Sequence, residues 1–142
     1  MFKKTLIRIA LAVTAVLVFA APAFANSSSY WFKMDYRYVN GSQNGIFHSM
    51  TGGNLTNSGQ IWVYSKDGGA ASPVPVTIEV WDTDGLDNIV CSLSVTPYAK
   101  IGQRKAYNKS CGHIDPDEYY IVAWKTVDDG NNVQASGTLR TT

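Results

Sequence analysis

The sequence has little of what most catalytic and nucleic-acid-binding proteins depend on. Its 142 residues include only two histidines, two cysteines and 16% charged residues, and the formal net charge is +1. The sequence therefore lacks the strong excess of basic residues that nucleic-acid-binding proteins usually carry. Aromatic residues make up 12% of the chain and glycine occurs 12 times, a composition typical of a globular protein and not of a disordered one.

Only one long apolar run occurs, at the amino terminus. Met1–Arg8 carries three positive charges, Ile9–Ala21 is almost entirely apolar, and Ala23-Phe24-Ala25 is a small-x-small cleavage pattern. These are the three parts of a secretory signal, and the run is shorter than the roughly 20 residues of a membrane-spanning helix. We predict a signal peptide over 1–25, no transmembrane segment in the mature chain, and a secreted product at the cell surface or outside the cell.

The mature chain, 26–142, has the size of one domain. Lys3, Lys4 and Arg8 are three of the 12 basic residues, which leaves 9 basic against 11 acidic residues and a formal charge of −2. This balance argues against nucleic acid as a partner.

Cys91 and Cys111 are the only cysteines. Export exposes them to an oxidising environment, so we predict a disulfide between them. It would close a loop of about 20 residues and stabilise the fold by roughly 3 kcal/mol. Two separated thiols with His113 nearby lack the paired spacing of a zinc site.

Period-two alternation of apolar and polar residues dominates the mature chain and predicts strands. No amphipathic helix is predicted, so the fold class is all-β: an antiparallel β-sandwich, Ig-like, with seven to eight short strands, or alternatively a small barrel. In the first strand the predicted core side chains are Tyr30, Phe32, Met34, Tyr36 and Tyr38, and Thr51–Gly59 is predicted to be a polar loop. The predicted strands are Tyr30–Val39, Ile46–Met50, Gln60–Ser65, Val76–Trp81, Ile89–Thr96, Lys105–Lys109, Tyr119–Thr126 and Asn132–Leu139.

One local pattern supports the sandwich. Asp115-Pro-Asp-Glu-Tyr119 before a strand resembles the tyrosine corner of Ig-like and fibronectin-type domains, where a tyrosine hydroxyl bonds back to the upstream backbone. Ile121 stands where the antibody-type pattern has its second cysteine, so that family's inter-sheet disulfide does not carry over. The resemblance implies a fold and no function.

The strand after this corner has two possible core faces. The corner pattern puts Tyr119, Ile121 and Ala123 inward, which would include Lys125 in the same set. Because a lysine is rarely buried, we predict the other set, with Trp124 in the core.

Two acidic turns are the candidate calcium site. If the strands alternate in direction from Val76 onward, both turns lie at one end of the sandwich. Calcium takes six to eight oxygen ligands, which clustered loop carboxylates can supply; the alternative is that Asp and Asn occur there because they favour turns. The candidate ligands are Asp82, Asp84, Asp87, Asp128 and Asp129.

Two tryptophans are the candidate ligand-binding residues. Trp31 and Trp81 face outward if their neighbours in the strands face the core, and exposed aromatic rings commonly mark interaction surfaces. The alternative is that each covers an edge of the core. Nearby amide side chains that would suit sugar hydroxyls are Asn40, Gln43, Asn44 and Asn88.

Catalysis has little support in the sequence. His48 and His113 lie in no catalytic motif, and no pair of acids stands out, so we predict that the protein is not an enzyme. The basic segment Lys100–Lys109 is interpreted as a solvated loop, balanced by nearby carboxylates.

The sequence therefore predicts a secreted, non-catalytic binding domain, whose first candidate ligand is a carbohydrate or cell-wall polymer. The alternative is a small secreted protein–protein factor, such as a toxin or bacteriocin, an inhibitor, or a matrix or assembly subunit. That alternative would use Tyr30–Val39 as an edge strand for a protein partner.

Overall fold

The computed structural model describes residues 25–84, 86 and 88–142. The predicted signal peptide lies outside the described residues except for Ala25, and so do Gly85 and Asp87. None of the described residues forms a helix long and apolar enough to cross a bilayer. They form nine strands: β1 (Asn26–Met34), β2 (Tyr38–Asn40), β3 (His48–Met50), β4 (Gly53–Lys66), β5 (Val76–Asp82), β6 (Ile89–Val95), β7 (Lys105–Ile114), β8 (Asp117–Lys125) and β9 (Asn131–Thr141).

The strands build two antiparallel sheets that pack face to face. The first sheet has the order β1-β9-β4-β7, and the second has the order β2-β8-β5-β6, with β3 also pairing with β8. The core lies between the sheets and is built from alternate residues, such as the fully buried Val76, Ile78 and Val80 of β5. The predicted antiparallel β-sandwich is confirmed.

The first strand begins and ends earlier than predicted: β1 covers Asn26–Met34, whereas the alternation predicted Tyr30–Val39. Its core residues Tyr30, Phe32 and Met34 are buried as predicted. The strand then ends, the chain bends, and β2 joins the second sheet. The prediction that Tyr36 and Tyr38 face the core is wrong: they are 72% and 54% exposed, because the alternation of β1 does not continue across the bend.

The predicted loop Thr51–Gly59 is also wrong, since most of it belongs to β4, a strand of 14 residues. Small polar residues suggest a turn in the sequence, but β4 pairs with β7 on one side and with β9 on the other. These two ladders satisfy its backbone groups, so a strand forms from residues of low intrinsic strand preference. Leu55 and Asn57 of this segment are fully buried.

In β8 the corner residues, and not the set that we predicted, face the core. Tyr119, Ile121 and Ala123 belong to the buried core cluster, so the prediction that Trp124 lies in the core is wrong. Lys125 is buried because its Nζ donates to Asp129 Oδ1 at 2.7 Å. A buried lysine is tolerated when it is paired in this way.

The tyrosine corner forms as the resemblance implied. The Tyr119 hydroxyl donates to the backbone oxygen of Asp115 at 2.6 Å. This bond holds the start of β8 in position, and the outward-facing residues of β8 include Trp124.

The predicted disulfide is confirmed: Cys91 on β6 is bonded to Cys111 on β7, with their Cα atoms 5.1 Å apart. Both strands are at the ends of their sheets. The bridge therefore connects the two sheets along one side of the sandwich.

Candidate binding surface

The outer surface of the second sheet is rich in aromatic side chains. Tyr38 of β2 pairs with Trp124 of β8, and Trp124 pairs with Thr77 of β5. Four residues along the sheet, Trp81 of β5 pairs with Tyr120 of β8. Successive strand residues point to opposite faces, so these side chains face away from the core whenever their neighbours lie within it.

A groove of about 580 Å³ lies on this surface. Its floor is the sheet itself, so its shape depends on paired strands and not on a loop. It combines three aromatic rings with one carboxylate and one guanidinium group. The residues that line it are Arg37, Tyr38, Glu79, Trp81, Val122, Trp124, Lys125 and Thr126.

Trp81 is held in a fixed orientation within this groove. Its Nε1 donates to Glu79 Oε2 at 3.0 Å, and its ring stacks on Tyr120 with a centroid distance of 6.3 Å and an interplanar angle of 20°. Tyr120 in turn meets the ring of Phe47 edge-on at 6.2 Å. Because one ring face of Trp81 is covered by Tyr120, Trp81 is partly buried, and it offers less free surface than the alternation alone suggested.

The opposite rim of the groove is formed by Arg37 and Tyr38. Asn40 Nδ2 donates to the Tyr38 hydroxyl at 2.9 Å, and an Arg37 guanidinium nitrogen donates to the backbone oxygen of Thr126 at 3.2 Å. The backbone oxygen of Arg37 also accepts from Lys125 N at 2.8 Å. These bonds hold the rim in place before any ligand arrives.

Two further depressions continue from this groove. The second has a volume of about 340 Å³ and shares Tyr38 with the groove. The third has a volume of about 220 Å³, is lined by Trp31 and Ile46 among others, and shares Lys33, Val39 and Asn44 with the second. The three form one continuous surface, which we call the aromatic band. Its aromatic side chains are Trp31, Tyr36, Tyr38, Trp81 and Trp124.

The structure places both predicted ligand-binding tryptophans on the aromatic band. Trp31 is 65% exposed and lies at its far end on β1, while Trp81 lies in the groove. Asn40, Gln43 and Asn44 line the second depression, whereas Asn88 lines none of the three. Tyr36, Tyr38 and Trp124 were not predicted as binding residues. The first strand was extended across the bend, which assigned the two tyrosines to the core, and Trp124 was assigned to the core of β8.

The charges on the aromatic band occur in opposite pairs. Lys33 Nζ lies 3.6 Å from Asp35 Oδ1 and 4.7 Å from the centroid of the Tyr64 ring. In the groove, Glu79 is matched by Arg37. The surface therefore has no excess of either sign.

The two acidic turns lie at opposite ends of the sandwich. Asp82 pairs with Tyr119 at one end of β5, and Val76 pairs with Lys125 at the other end, where the 127–131 turn follows β8. The prediction that both turns share one end is wrong: β7, which contains the predicted strand Lys105–Lys109, reverses the chain once more between them, and this reversal was left out when the ends were assigned. Asp82 and Asp84 therefore lie apart from Asp128 and Asp129.

Each turn has its own electrostatic character. The nearby Asp117 carboxylate is the main cause that raises the pKa of Asp84 above its ordinary value. Burial pushes the pKa of Asp129 upward, but hydrogen bonds from Lys125 and from the backbone of Val74 and Asn131 outweigh this and lower it. Asp129 is thus engaged in the core and is not free to bind a metal ion.

No group of three or more His, Cys, Asp or Glu side chains among the described residues is arranged to hold a metal ion. Asp87, one of the predicted ligands, lies outside the described residues. Calcium binding at the 82–88 and 127–131 turns stays a prediction.

The two histidines belong to different sheets. His48 on β3 is buried, its Nδ1 lies 2.8 Å from Ser28 Oγ, and burial lowers its pKa. His113 on β7 is exposed. In the basic segment Lys100–Lys109, the guanidinium group of Arg104 lies 4.0 Å from the centroid of the Trp62 ring, so this charge covers an aromatic ring of the first sheet.

Comparisons with known proteins show distant likeness only. No protein-family model matches the chain, and no curated protein matches it. Among solved structures it is similar to endospore appendages of Bacillus, described as disulfide-linked pili (12% identity, 84% of this chain and 87% of that chain, TM-score 0.42). It is also similar to a CBM4 carbohydrate-binding module (12%, 83% and 78%, TM-score 0.49) and to a mitogen of Yersinia pseudotuberculosis (12%, 84% and 87%, TM-score 0.36). Identities and TM-scores this low do not extend to function.

Proposed function

We propose that the protein is a secreted, non-catalytic binding domain that holds carbohydrate on the aromatic band. The observation that carries this proposal is that three depressions share lining residues and are lined by five aromatic side chains in addition to the buried Phe32. Sugar rings have apolar faces that stack on aromatic rings, and their hydroxyl groups need polar partners at the edges.

The groove supplies both kinds of contact. Trp124 and Tyr38 offer ring surface, and Arg37 donates hydrogen bonds to hydroxyl groups. Glu79 lines the groove but is only 7% exposed, and its carboxylate accepts from Trp81 Nε1, so it orients that ring. Because β2, β5 and β8 hold these residues in a paired sheet, the binding surface exists before the ligand arrives. Preformed surfaces lose less entropy on binding.

A protein partner is the second candidate function. β1 lies at the end of the first sheet, and an end strand can add a strand from another chain. This function would need no aromatic band, and it would show as concentration-dependent assembly without a response to glycans.

The experiment that tests the proposal is retention on insoluble polysaccharides. The full chain is expressed in a secreting host, and the oxidised product is mixed with cellulose, chitin and bacterial cell wall. We expect one of these solids to deplete it from solution. Trp124→Ala and Tyr38→Ala should reduce the retention, since each removes ring surface from the groove.

Trp62→Ala is the matched control. Trp62 is an aromatic residue of the first sheet that is covered by Arg104 and lines none of the three depressions of the aromatic band, so its loss should leave retention unchanged. Retention on none of the solids, or equal losses in Trp62→Ala and Trp124→Ala, would contradict the proposal and direct the search to protein partners.

A further inference from the structure

We infer that the aromatic band binds an extended chain of several uncharged sugar units, with Trp31 as the outermost contact, and not a single terminal sugar. This inference rests on the proposed function, since it specifies what kind of carbohydrate the band would hold.

The continuity of the surface is the first step. Tyr38 lines both the groove and the second depression, and Val39 and Asn44 line both the second and the third. The groove and the second depression therefore meet at Tyr38, and a ligand that contacts the Tyr38 ring from the groove lies beside the next depression. The groove alone, at about 580 Å³, falls within the range of sites that hold drug-sized ligands, so the whole band exceeds what one sugar ring would fill.

The path of the band is the second step. It begins on the outer surface of the second sheet, follows the bend at Asp35–Arg37 where the chain passes between sheets, and ends at Trp31 on the first sheet. Trp31 is exposed although it neighbours the core residues Tyr30 and Phe32. An exposed tryptophan at the end of a continuous groove has ring surface free to stack on a ligand.

The charge of the band is the third step. Lys33 is paired with Asp35, and Glu79 faces the same groove as Arg37. Lys125 also lines the groove, but its ammonium group is buried and bonded to Asp129. The band therefore offers no cluster of unpaired cations to a polyanion, so it suits an uncharged polymer.

The test compares chain lengths by isothermal titration calorimetry. The probes are the disaccharide and hexasaccharide of β-1,4-linked glucose, the same pair for β-1,4-linked N-acetylglucosamine, and polygalacturonate as an anionic polymer. We expect a hexasaccharide to bind at least about tenfold tighter than its disaccharide, because it reaches additional rings. Polygalacturonate should bind more weakly than the preferred neutral hexasaccharide.

Two variants locate the far end of the chain. Trp31→Ala should weaken hexasaccharide binding by about three- to tenfold, as expected for one lost stacking contact, and leave the disaccharide unchanged. Trp31→Phe should restore most of the loss. Because Trp31 is exposed, neither variant removes a core residue. Trp124→Ala should weaken both lengths.

The outcomes separate the two proposals. Equal affinities for both lengths, no effect of Trp31→Ala, or a preference for polygalacturonate would overturn this inference while leaving carbohydrate binding in place if Trp124→Ala still abolishes it. No binding of any oligosaccharide together with no retention on insoluble polysaccharide would remove the proposed function and this inference together.

Discussion

The hydroxyl groups of Tyr30 and Tyr107 meet 2.7 Å apart inside the sandwich, although their strands are the two ends of the first sheet. Tyr30 pairs with Gly137, Gly137 with Gly59, and Gly59 with Tyr107. The two tyrosines therefore reach toward each other over glycines on the strands between them. The Tyr30 hydroxyl also donates to Asn57 Oδ1 at 2.6 Å, and burial raises the pKa of Tyr107 to about 12.

A side chain at Gly137 should break this arrangement. A Cβ added there would lie 2.5 Å from Tyr30 Cζ, so the ring must move and lose its hydrogen bonds. Overfilling a packed core in this way costs about 1–3 kcal/mol. We expect Gly137→Ala to lower the free energy of unfolding by that amount in a urea titration followed by tryptophan fluorescence. Gly68→Ala is the control, since a Cβ there meets nothing within 4 Å; equal midpoints for the two variants would contradict the packing argument.

The buried ion pair of Lys125 and Asp129 yields a second prediction. Their side chains are 1% and 2% exposed. Asp129→Ala leaves the Lys125 ammonium group buried without its partner, which typically costs about 3–5 kcal/mol. We expect a large fall in the urea midpoint.

Two comparisons test that reason. Asp128→Ala removes the neighbouring carboxylate, which is exposed and accepts a hydrogen bond from Gly130 N at 3.1 Å. This variant should change stability little. Lys125→Met combined with Asp129→Ala removes both charges and should recover part of the loss. A double variant as unstable as Asp129→Ala would show that the unpaired charge is not the cause.

His48 should make the fold less stable in mild acid. Burial lowers its pKa in the folded state, so the unfolded chain, with a value near 6.5, takes up the proton first as the pH falls. The contribution of neutral His48 to the free energy of unfolding is fully present above about pH 6.5, and it is lost as the pH falls toward the folded-state pKa of His48. We expect the free energy of unfolding to fall between about pH 7.5 and pH 5, and to fall less in His48→Gln.

His113→Gln is the comparison for that prediction, because His113 is exposed. It should keep the pH dependence of the unsubstituted protein. If His48→Gln and the unsubstituted protein lose the same stability over this range, His48 is not the group responsible.

Removing a negative charge from the acidic turn after β5 should stabilise the fold at neutral pH. The folded-state pKa of Asp84 is raised, mainly by Asp117, so its ionised form is disfavoured in the fold. The penalty appears as the pH rises above the ordinary value of 3.8. We expect Asp84→Asn to raise the unfolding temperature slightly at pH 7 and not at about pH 3.

Calcium can be tested on the same variant. If the 82–88 turn binds calcium, calcium should raise the unfolding temperature of the unsubstituted protein and have less effect on Asp84→Asn. Identical unfolding temperatures with calcium and with EDTA would show that the calcium prediction is wrong and that the aspartates serve the turn itself.

The alternation of apolar and polar residues correctly predicted core positions within strands that do not cross from one sheet to the other. Val76, Ile78 and Val80 of β5, Cys91 and Val95 of β6 and the core residues of β1 follow a simple alternation, because each of these positions faces the space between the sheets. The alternation failed at Tyr36 and Tyr38, where the chain passes from one sheet to the other. A period of two carries no information about such a change of sheet.

Residue type gave wrong predictions at two places where a tertiary contact overrides the usual preference of the residue. Lys125 is buried because Asp129, four residues later, neutralises it. The segment around Gly59 is a strand because it pairs with β7 and β9, and the glycine leaves room for the Tyr107 hydroxyl group, which would lie 2.5 Å from an added Cβ. In both cases the residue that explains the structure lies on another segment of the chain, outside the alternating pattern of the strand. Because Lys125 was expected to be exposed, Trp124 was assigned to the core and not to the candidate surface.

The two sheets are linked covalently on both sides of the sandwich. On one side the Cys91–Cys111 bridge joins the end strands β6 and β7. On the other side the backbone at 35–37 leads from β1 to β2, and the contact of Ser28 with His48 reinforces it. The outer end of the aromatic band, lined by Trp31 and Ile46, therefore lies beside the link that the chain itself makes, so reduction of the disulfide would release the sheets at the opposite side first.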